Sequence, residues 1–209
     1  MFQLIETIKI QNKKAVNLEY HQKRVDYSQK SLSLIDNKRP IILEKIINDF
    51  ILENNIIDNS VHKCRVVYSN ILISTEITKY IKKEIKTLKI VESNLIEYPF
   101  KFEDRKKINK LFERRAVADD ILIVKNGIVT DTSFSNIIFY DPNFNDFGIW
   151  FTPASPLLKG THRQYLLDNN VIKEKDITVS NLNGYSKFQL INSMINFGDV
   201  EININNILI

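Results

Sequence analysis

Cysteine and histidine are scarce in this sequence, and the shortage excludes two kinds of centre. One cysteine and three histidines occur among 209 residues. The lone Cys64 rules out an intramolecular disulfide, which suits a reducing cytoplasm. Paired metal-ligand spacing surrounds neither Cys64 nor any histidine (His21, His62 and His162), so we expect no metal site. Five glycines and five prolines are also few, and no repeat or low-complexity segment is present.

Long apolar runs and an excess of one charge are absent as well. No stretch approaches the roughly 18 uninterrupted apolar residues of a membrane helix. Residues 1–6 lack the basic region and apolar run that open a signal peptide, so we expect a soluble, unprocessed, cytoplasmic protein. The 29 Lys and Arg against 25 Asp and Glu give a net charge of +4 with both signs interspersed, which is an ordinary surface.

The hydrophobic content is sufficient for a proper core. At 44% hydrophobic and 10% aromatic residues, the chain can form one large domain or two small ones. The periodicity lapses between residues 93 and 100, where Pro99 disfavours helix at Tyr98. We therefore predict a small α+β domain at 1–96 and a larger domain at 97–209.

The order of elements predicts an α+β protein. Asn126-Gly127 lies between two β-branched runs and predicts a tight hairpin, because both residues tolerate positive φ angles. Helical spacing predicts helices at 21–34, 41–52, 104–115 and 161–167. The segments 64–68, 71–74 and 88–91 are rich in β-branched residues and predict three strands of one antiparallel sheet. Further strands are predicted at 136–140, 149–152, 177–179 and 190–195.

Three chemical groups follow one another along the chain from residue 101 onward. Lys101 supplies an amine, Asp131 supplies an acid within a strand that precedes Asn136, and residues 152–163 supply an anion-binding turn. Pyridoxal 5′-phosphate (PLP) needs a lysine amine, a group facing its pyridine nitrogen and several donors around its phosphate. The sequence therefore contains the groups that a PLP site requires.

Six segments in order resemble one family, the class IV PLP-dependent enzymes. They are Glu6-Thr7-Ile8, His21-Gln22-Lys23-Arg24, Lys101-Phe102-Glu103-Asp104-Arg105, residues 127–136, Leu158-Lys159-Gly160-Thr161-His162-Arg163 and Ile191-Asn192-Ser193. The family contains branched-chain and D-amino-acid aminotransferases and aminodeoxychorismate lyase. The resemblance implies the two-domain fold type IV, similar to D-amino-acid aminotransferase. Its N-terminal α/β domain is small, its C-terminal domain is larger and β-barrel-like with helices, and the enzyme is a homodimer.

The resemblance also implies roles for two residues that face the cofactor. Lys101 matches the lysine that forms the Schiff base, since it lies three residues before an Asp-Arg pair similar to the family's Lys-x-x-Asn-Arg. Its competitors are Lys106, Lys107 and Lys110. Asp131 stands where the family usually has glutamate against the pyridine nitrogen, and a shorter acid can accept the same hydrogen bond.

The remaining cofactor residues surround the phosphate in the family. Arg24 resembles the arginine whose planar fork binds two phosphate oxygens. Gly160 and Thr161 would offer backbone N–H groups at a helix N-terminus, and Ser193 would supply a hydroxyl. Leu158 belongs to the same cofactor-binding segment. His162 replaces a threonine of the family, and either phosphate contact or simple packing fits it.

The opening residues 4–8 and the segment 190–194 look more similar to aminodeoxychorismate lyase than to the branched-chain aminotransferases. The resemblance implies a small-molecule amine substrate, 4-amino-4-deoxychorismate, with pyruvate and 4-aminobenzoate as products of a step in folate synthesis. An aminotransferase acting on branched-chain or D-amino acids is the alternative. A nucleic-acid-binding module built on the basic residues between 105 and 115 is more remote, because acidic residues interrupt them. We expect neither a nucleic-acid nor a membrane partner.

Overall fold

A computed structural model describes residues 2–36, 40–53 and 60–208, which divide into two compact units. The first comprises Met1–Lys82 and Phe100–Asp104, and the second comprises Lys83–Pro99 and Arg105–Ile209. Helices and strands are mixed, so the predicted α+β class is confirmed. None of the helices within the described ranges is both long and apolar enough to cross a membrane.

The first unit contains one antiparallel sheet and two helices. Its elements are β1 (Leu4–Gln11), β2 (Lys14–Ala15), α1 (Leu18–Ser31), α2 (Leu43–Glu53), β3 (His62–Tyr68) and β4 (Leu72–Lys79). The strand order is β2-β1-β3-β4. The α1 residues that face the core follow helical spacing, and among them His21, Val25 and Ser28 are buried. The apolar core includes Leu4 and Ile8 of β1 together with Val25.

The second unit contains two sheets. Its strands are β5 (Leu88–Glu92), β6 (Asp120–Lys125), β7 (Ile128–Thr132), β8 (Asn136–Asp141), β9 (Ile149–Pro153), β10 (Lys173–Lys175), β11 (Lys187–Ile191), β12 (Ile202–Asn203) and β13 (Ile207–Leu208). Its α-helices are α3 (Lys106–Phe112) and α4 (Thr161–Asp168). The sheet orders are β13-β5-β6-β7 and β10-β9-β8-β11-β12. Side chains of both sheets, among them Leu122, Val129, Phe139 and Phe188, share one apolar core.

The hairpin around Asn126 and Gly127 is confirmed. Their φ angles are 53° and 78°, and Lys125 pairs with Ile128 across the turn. Positive φ at both central residues matches the right-handed twist of the strands, which explains the Asn-Gly pair. The strand that follows this turn, β7, carries the buried Asp131 as its fourth residue.

One prediction about the sheets is wrong. Only the first two of the three predicted strands pair with each other, as β3 and β4, whereas β5 lies in the second unit and runs parallel to β6. Leu88 pairs with Asp120 rather than with the first unit. Composition favours extended structure without encoding the partner strand.

Three predicted element boundaries also change. The predicted helix at 104–115 is α3 followed by a 3-10 turn at Glu113–Arg115. The strand predicted at 177–179 is a single bridge between Ile128 and Thr178. The strand predicted at 190–195 ends at Ile191, because the Asn192 side chain accepts hydrogen bonds from the backbone of the next residues.

Candidate active site

The carboxylate of Asp131 is buried near the end of β7 and held by two N–H donors. Nδ2 of Asn136 donates to Oδ1 at 2.7 Å, and the backbone N–H of Leu158 donates to Oδ2 at 3.0 Å. The Asn136 amide also donates to the carbonyl of Leu158 at 2.8 Å. Asn136 therefore joins the start of β8 to the loop before α4 and fixes the carboxylate in one orientation.

Opposing effects act on the proton affinity of Asp131. Burial raises the pKa of Asp131 to about 6, while the N–H groups of Leu158 and Asn136 and the nearby charge of Arg163 limit the rise. Both N–H donors require an oxygen that accepts, which favours the ionised carboxylate. At neutral pH Asp131 is therefore mainly a buried anion that can accept a further hydrogen bond.

Gly160 allows the Asn136 amide to approach the backbone. A Cβ atom placed on Gly160 would lie 1.9 Å from Oδ1 of Asn136, although the glycine has an ordinary φ of −69°. The glycine is needed for close approach and not for a left-handed conformation. The Asn136 amide occupies the space beside Gly160.

Helix α4 begins directly after Gly160. Thr161 is its first residue and is buried. The first N–H groups of a helix have no partner within the helix, and together with the helix dipole they favour an anion. The segment from Gly160 to Thr161 can therefore bind an anionic group with its backbone.

A side-chain turn fixes Ser193 after β11. Oδ1 of Asn192 accepts hydrogen bonds from the backbone of Met194 at 2.8 Å and of Ile195 at 2.9 Å. Nδ2 of Asn192 donates to Oγ of Ser135 at 2.8 Å, in the loop between β7 and β8. Ser193 is half-buried, and its turn is tied to the loop that follows Asp131.

His162 contacts the backbone of Phe197 and the ring of Tyr165. Its Nε2 accepts a hydrogen bond of 3.3 Å from the backbone N–H of Phe197, and its ring stacks on Tyr165 with 5.9 Å between centroids. These contacts match the packing interpretation of the residue. Its neighbour Arg163 is fully buried and bonds to the Pro153 carbonyl at 2.9 Å and to Glu174 at 2.6 Å. The sequence motif contained Arg163, but its burial could not be predicted.

In the first unit, backbone pairing with β1 positions Lys101. The N–H of Ile5 donates to the carbonyl of Lys101 at 2.9 Å, and the N–H of Glu103 donates to the carbonyl of Gln3 at 2.9 Å. Lys101 is half-buried, whereas its three sequence competitors (Lys106, Lys107 and Lys110) are exposed. Partial burial therefore distinguishes Lys101 from the three competing lysines.

Arg24 is part of a buried ion pair rather than a helix surface charge. Its Nε donates to Oε1 of Glu6 at 2.8 Å, and its Nη2 donates to Oε2 at 2.6 Å. Nδ1 of His21 contacts the same Oε2 at 2.5 Å. Glu6 and His21 were within the motifs used above but were not assigned a role, because their contact joins β1 to α1 and depends on the tertiary fold.

The pKa values of Glu6 and His21 both depend on the contacts within this group of three side chains. Burial alone would raise the pKa of Glu6, but the charge of Arg24 and the hydrogen bonds from His21 and Arg24 outweigh it and lower the pKa to about 2. Burial lowers the pKa of His21, and the charges of Arg24 and Lys101 lower it further against the opposing effect of Glu6. His21 is therefore neutral at pH 7 and donates from Nδ1, because the ionised Glu6 can only accept.

Comparison with known proteins identifies the family. The chain matches the family model described as amino-transferase class IV over residues 3–201. It belongs to the class IV aminotransferase family. A Haemophilus influenzae Rd protein is 35% identical over 196 residues, which cover 93% of this chain and 98% of that protein.

Two solved structures are similar over most of their length. One, from Haemophilus somnus 129PT and named as a candidate 4-amino-4-deoxychorismate lyase, is 33% identical with a TM-score of 0.85, covering 94% of this chain and 98% of that chain. The other is a hypothetical aminotransferase from Mycobacterium tuberculosis in a PLP-bound form. It is 14% identical, with a TM-score of 0.78 over 99% of this chain and 81% of that chain, and shares the fold.

The class IV family is PLP-dependent, so the chain is a PLP-dependent enzyme by membership. The side chains present are chemically suited to that cofactor. The second unit joins Asp131, Leu158 and Gly160 through the amide of Asn136, and the first unit contains Lys101 and Arg24. Asn136, Glu6 and His21 are additions to the residues that the sequence indicated.

The basic residues around α3 are engaged within the second unit. The guanidinium of Arg114 donates to the Glu92 carbonyl at 3.1 Å, and that of Arg115 lies 4.2 Å from the centroid of the Phe112 ring. Arg105 donates to the carbonyl of Ser133. These contacts direct three of the cations toward this unit's own groups.

Proposed function

We propose that this class IV enzyme is a PLP-dependent lyase that converts 4-amino-4-deoxychorismate to 4-aminobenzoate and pyruvate, a step of folate synthesis. The substrate assignment is supported by the similarity to the Haemophilus somnus protein, which extends over nearly the whole of both chains. The opening strand and the segment after β11 carry the motifs that led to the same assignment from sequence.

One observation carries the cofactor part of the proposal. The carboxylate of Asp131 is buried, fixed by N–H donors from Asn136 and Leu158, and mainly ionised at neutral pH. A buried carboxylate costs free energy unless it is paired or serves a function. A protonated pyridine nitrogen is a cationic donor that would compensate this anion.

The proposed cofactor residues are those that the family resemblance indicates. Lys101 would hold the cofactor covalently, and Arg24 would bind its phosphate through the guanidinium. Gly160 and Thr161 would add backbone N–H groups to the phosphate, Ser193 would add its hydroxyl, and Leu158 would line the same segment beside Asp131.

When bound, PLP supplies a conjugated ring that accepts the electron pair released at a substrate carbon. Asp131 would accept a hydrogen bond from the pyridine nitrogen and so favour its protonated form. A free Lys101 amine would accept the proton from the substrate carbon that bears the amino group. As the C–O bond between the ring and the enolpyruvyl group breaks and the ring becomes aromatic, the same amine would return the proton to the departing enolpyruvate, which becomes pyruvate. A single amine thus serves as covalent anchor and general base.

Product analysis tests the reaction assignment. Purified enzyme reconstituted with PLP should release pyruvate and 4-aminobenzoate from 4-amino-4-deoxychorismate without any added keto acid. Lys101→Ala should abolish this release, whereas the exposed-site control Lys107→Ala should retain it. Turnover that requires both an amino donor and a keto acceptor would instead assign the enzyme as an aminotransferase.

We also propose that the enzyme is a cytoplasmic homodimer, as the family resemblance implies. Sedimentation equilibrium of the PLP-loaded enzyme should give twice the chain mass of 24.5 kDa. A monomer that retains full turnover would contradict the dimer without affecting the lyase assignment.

A further inference from the structure

Glu6, His21 and Arg24 form a cluster, here named the Glu6 cluster, of which only one member reaches the surface. The side chain of Arg24 is 12% exposed, while that of Glu6 is 0% and that of His21 is 1% exposed. A ligand that approaches this cluster therefore meets Arg24 first, because the other two side chains are buried.

Glu6 fixes both the position and the plane of that guanidinium. Its two oxygens accept from Nε and Nη2 of Arg24 in a bidentate pair. A single contact would leave the planar group free to rotate, whereas two parallel bonds define its plane. An arginine carries five N–H donors, and the pair with Glu6 engages Nε and Nη2 of Arg24.

His21 in turn fixes Glu6. Its Nδ1 bonds to Oε2 of Glu6 at 2.5 Å, and it lies three residues before Arg24 on the same face of α1. The Glu6 carboxylate thus receives three N–H donors from two side chains of one helix. Because β1 carries Glu6 and also pairs with the backbone of Lys101, the cluster is anchored to the strand that positions the reactive amine.

We propose that Glu6, itself oriented by His21, is a positioning residue that aligns the Arg24 guanidinium for the cofactor phosphate. This inference rests on the proposed function, because it requires Arg24 to bind that phosphate. A residue that only stabilises the fold would affect every ligand of the site equally. A residue that aligns Arg24 affects ligands with a phosphate and spares those without one.

The test compares PLP with pyridoxal, which lacks the phosphate. Dissociation constants of both are measured from the visible absorbance of the bound aldehyde in the wild type, in Glu6→Gln and in Glu6→Asp. For Glu6→Gln we expect PLP affinity to fall by roughly 10- to 100-fold, the range typical of residues that orient a ligand-binding group, and pyridoxal affinity to stay within about twofold. Glu6→Asp keeps the charge but shortens the side chain, so it should show the same selective loss in a folded protein even if Glu6→Gln does not fold.

A matched control comes from another buried polar contact of α1. Gln29 donates to the carbonyl of Ser69 at 2.9 Å, so Gln29→Met removes a buried hydrogen bond without touching the Glu6 cluster. Its ratio of PLP to pyridoxal affinity should equal that of the wild type.

Two results overturn the inference while the proposed function survives: unchanged PLP affinity in both Glu6 variants, or equal losses for PLP and pyridoxal. Failure of the proposed function has a different signature. In that case the wild type itself forms no borohydride-reducible bond between Lys101 and PLP, and the inference fails with it.

Discussion

Nδ2 of Asn136 lies 2.7 Å from Oδ1 of Asp131 and donates a hydrogen bond to it. The same nitrogen donates to the carbonyl of Leu158 at 2.8 Å, so one amide joins the acid at the end of β7 to the loop that leads into α4. The orientation of the carboxylate therefore depends on a residue that makes no proposed contact with the cofactor.

Replacing Asn136 by alanine should weaken cofactor binding more than it weakens the fold. We expect PLP affinity to fall by roughly 10- to 100-fold, because Asp131 loses the donor that orients it. The free energy of unfolding should fall by about 1–3 kcal/mol, the cost of leaving buried polar groups unpaired. Absorbance titration and urea unfolding measure the two effects. Asn109→Ala, at an exposed position of α3, should change neither.

Gly160→Ala should be destabilising for a steric reason. The added Cβ would lie 1.9 Å from Oδ1 of Asn136, so either the amide or the start of α4 must shift. We expect a loss of about 1–3 kcal/mol in unfolding free energy. Gly184→Ala is the control, since no atom lies within 4 Å of its added Cβ.

A double variant checks the cause of the Gly160 effect. In an Asn136→Ala background the clashing amide is absent, and Gly160→Ala should then cost much less than it does alone. Additive losses would show that the glycine is required for some reason other than the approach of Asn136.

Ala116→Gly should stabilise the second unit. Ala116 has φ 54° and ψ −119°, and Ala118 N–H donates to the carbonyl of Arg115 at 3.0 Å. These values match the first central position of a type II′ turn, which favours glycine. Relief of about 1–2 kcal/mol of strain exceeds the entropic penalty of glycine, so the unfolding free energy should rise by roughly 0.5–1 kcal/mol. Ala118→Gly, which removes a buried methyl group in the same turn, should lower it.

The stability of the first unit should fall in acid because of Glu6. Its pKa is lowered from 4.5 to about 2, so the contribution to stability is complete above pH 4.5 and is lost as the pH falls from there toward 2. The full contribution is on the order of 3 kcal/mol. Urea unfolding between pH 2 and pH 7 should show Glu6→Gln with a smaller acid-induced loss than the wild type. Parallel pH profiles for the two proteins would contradict the ionised buried pair.

Asp131 acts on stability in the opposite direction. Because its pKa is raised to about 6, its ionisation in the folded state costs free energy, and this cost appears as the pH rises from 3.8 to about 6. The pH profile of the whole chain therefore combines a gain from Glu6 and a loss from Asp131 over partly overlapping ranges. Comparison of the pH profile of Glu6→Gln with that of the wild type isolates the contribution of Glu6 to stability.

The sequence predicted the features that depend on local chemistry. The turn at Asn126 and Gly127 requires positive φ angles at adjacent residues, and this requirement can be read directly from the residue types. The class IV family was likewise indicated by six short motifs in order, and the family model matches residues 3–201.

Features that depend on distant pairing could not be predicted in the same way. The partner of β5 is β6, about thirty residues later, and a run of β-branched residues does not specify which sheet it joins. The contacts of Glu6 with His21 and Arg24 span 15 and 18 residues, and that of Asn136 with Leu158 spans 22. Each becomes visible only when the strands and helices that carry the residues are packed together.

Borohydride reduction of the PLP-loaded protein, followed by peptide mapping, tests the central claim most directly. We expect a single peptide carrying the mass of reduced PLP on Lys101, and no such peptide in Lys101→Ala. Modification of Lys106, Lys107 or Lys110 in place of Lys101, or no modified peptide at all, would contradict it.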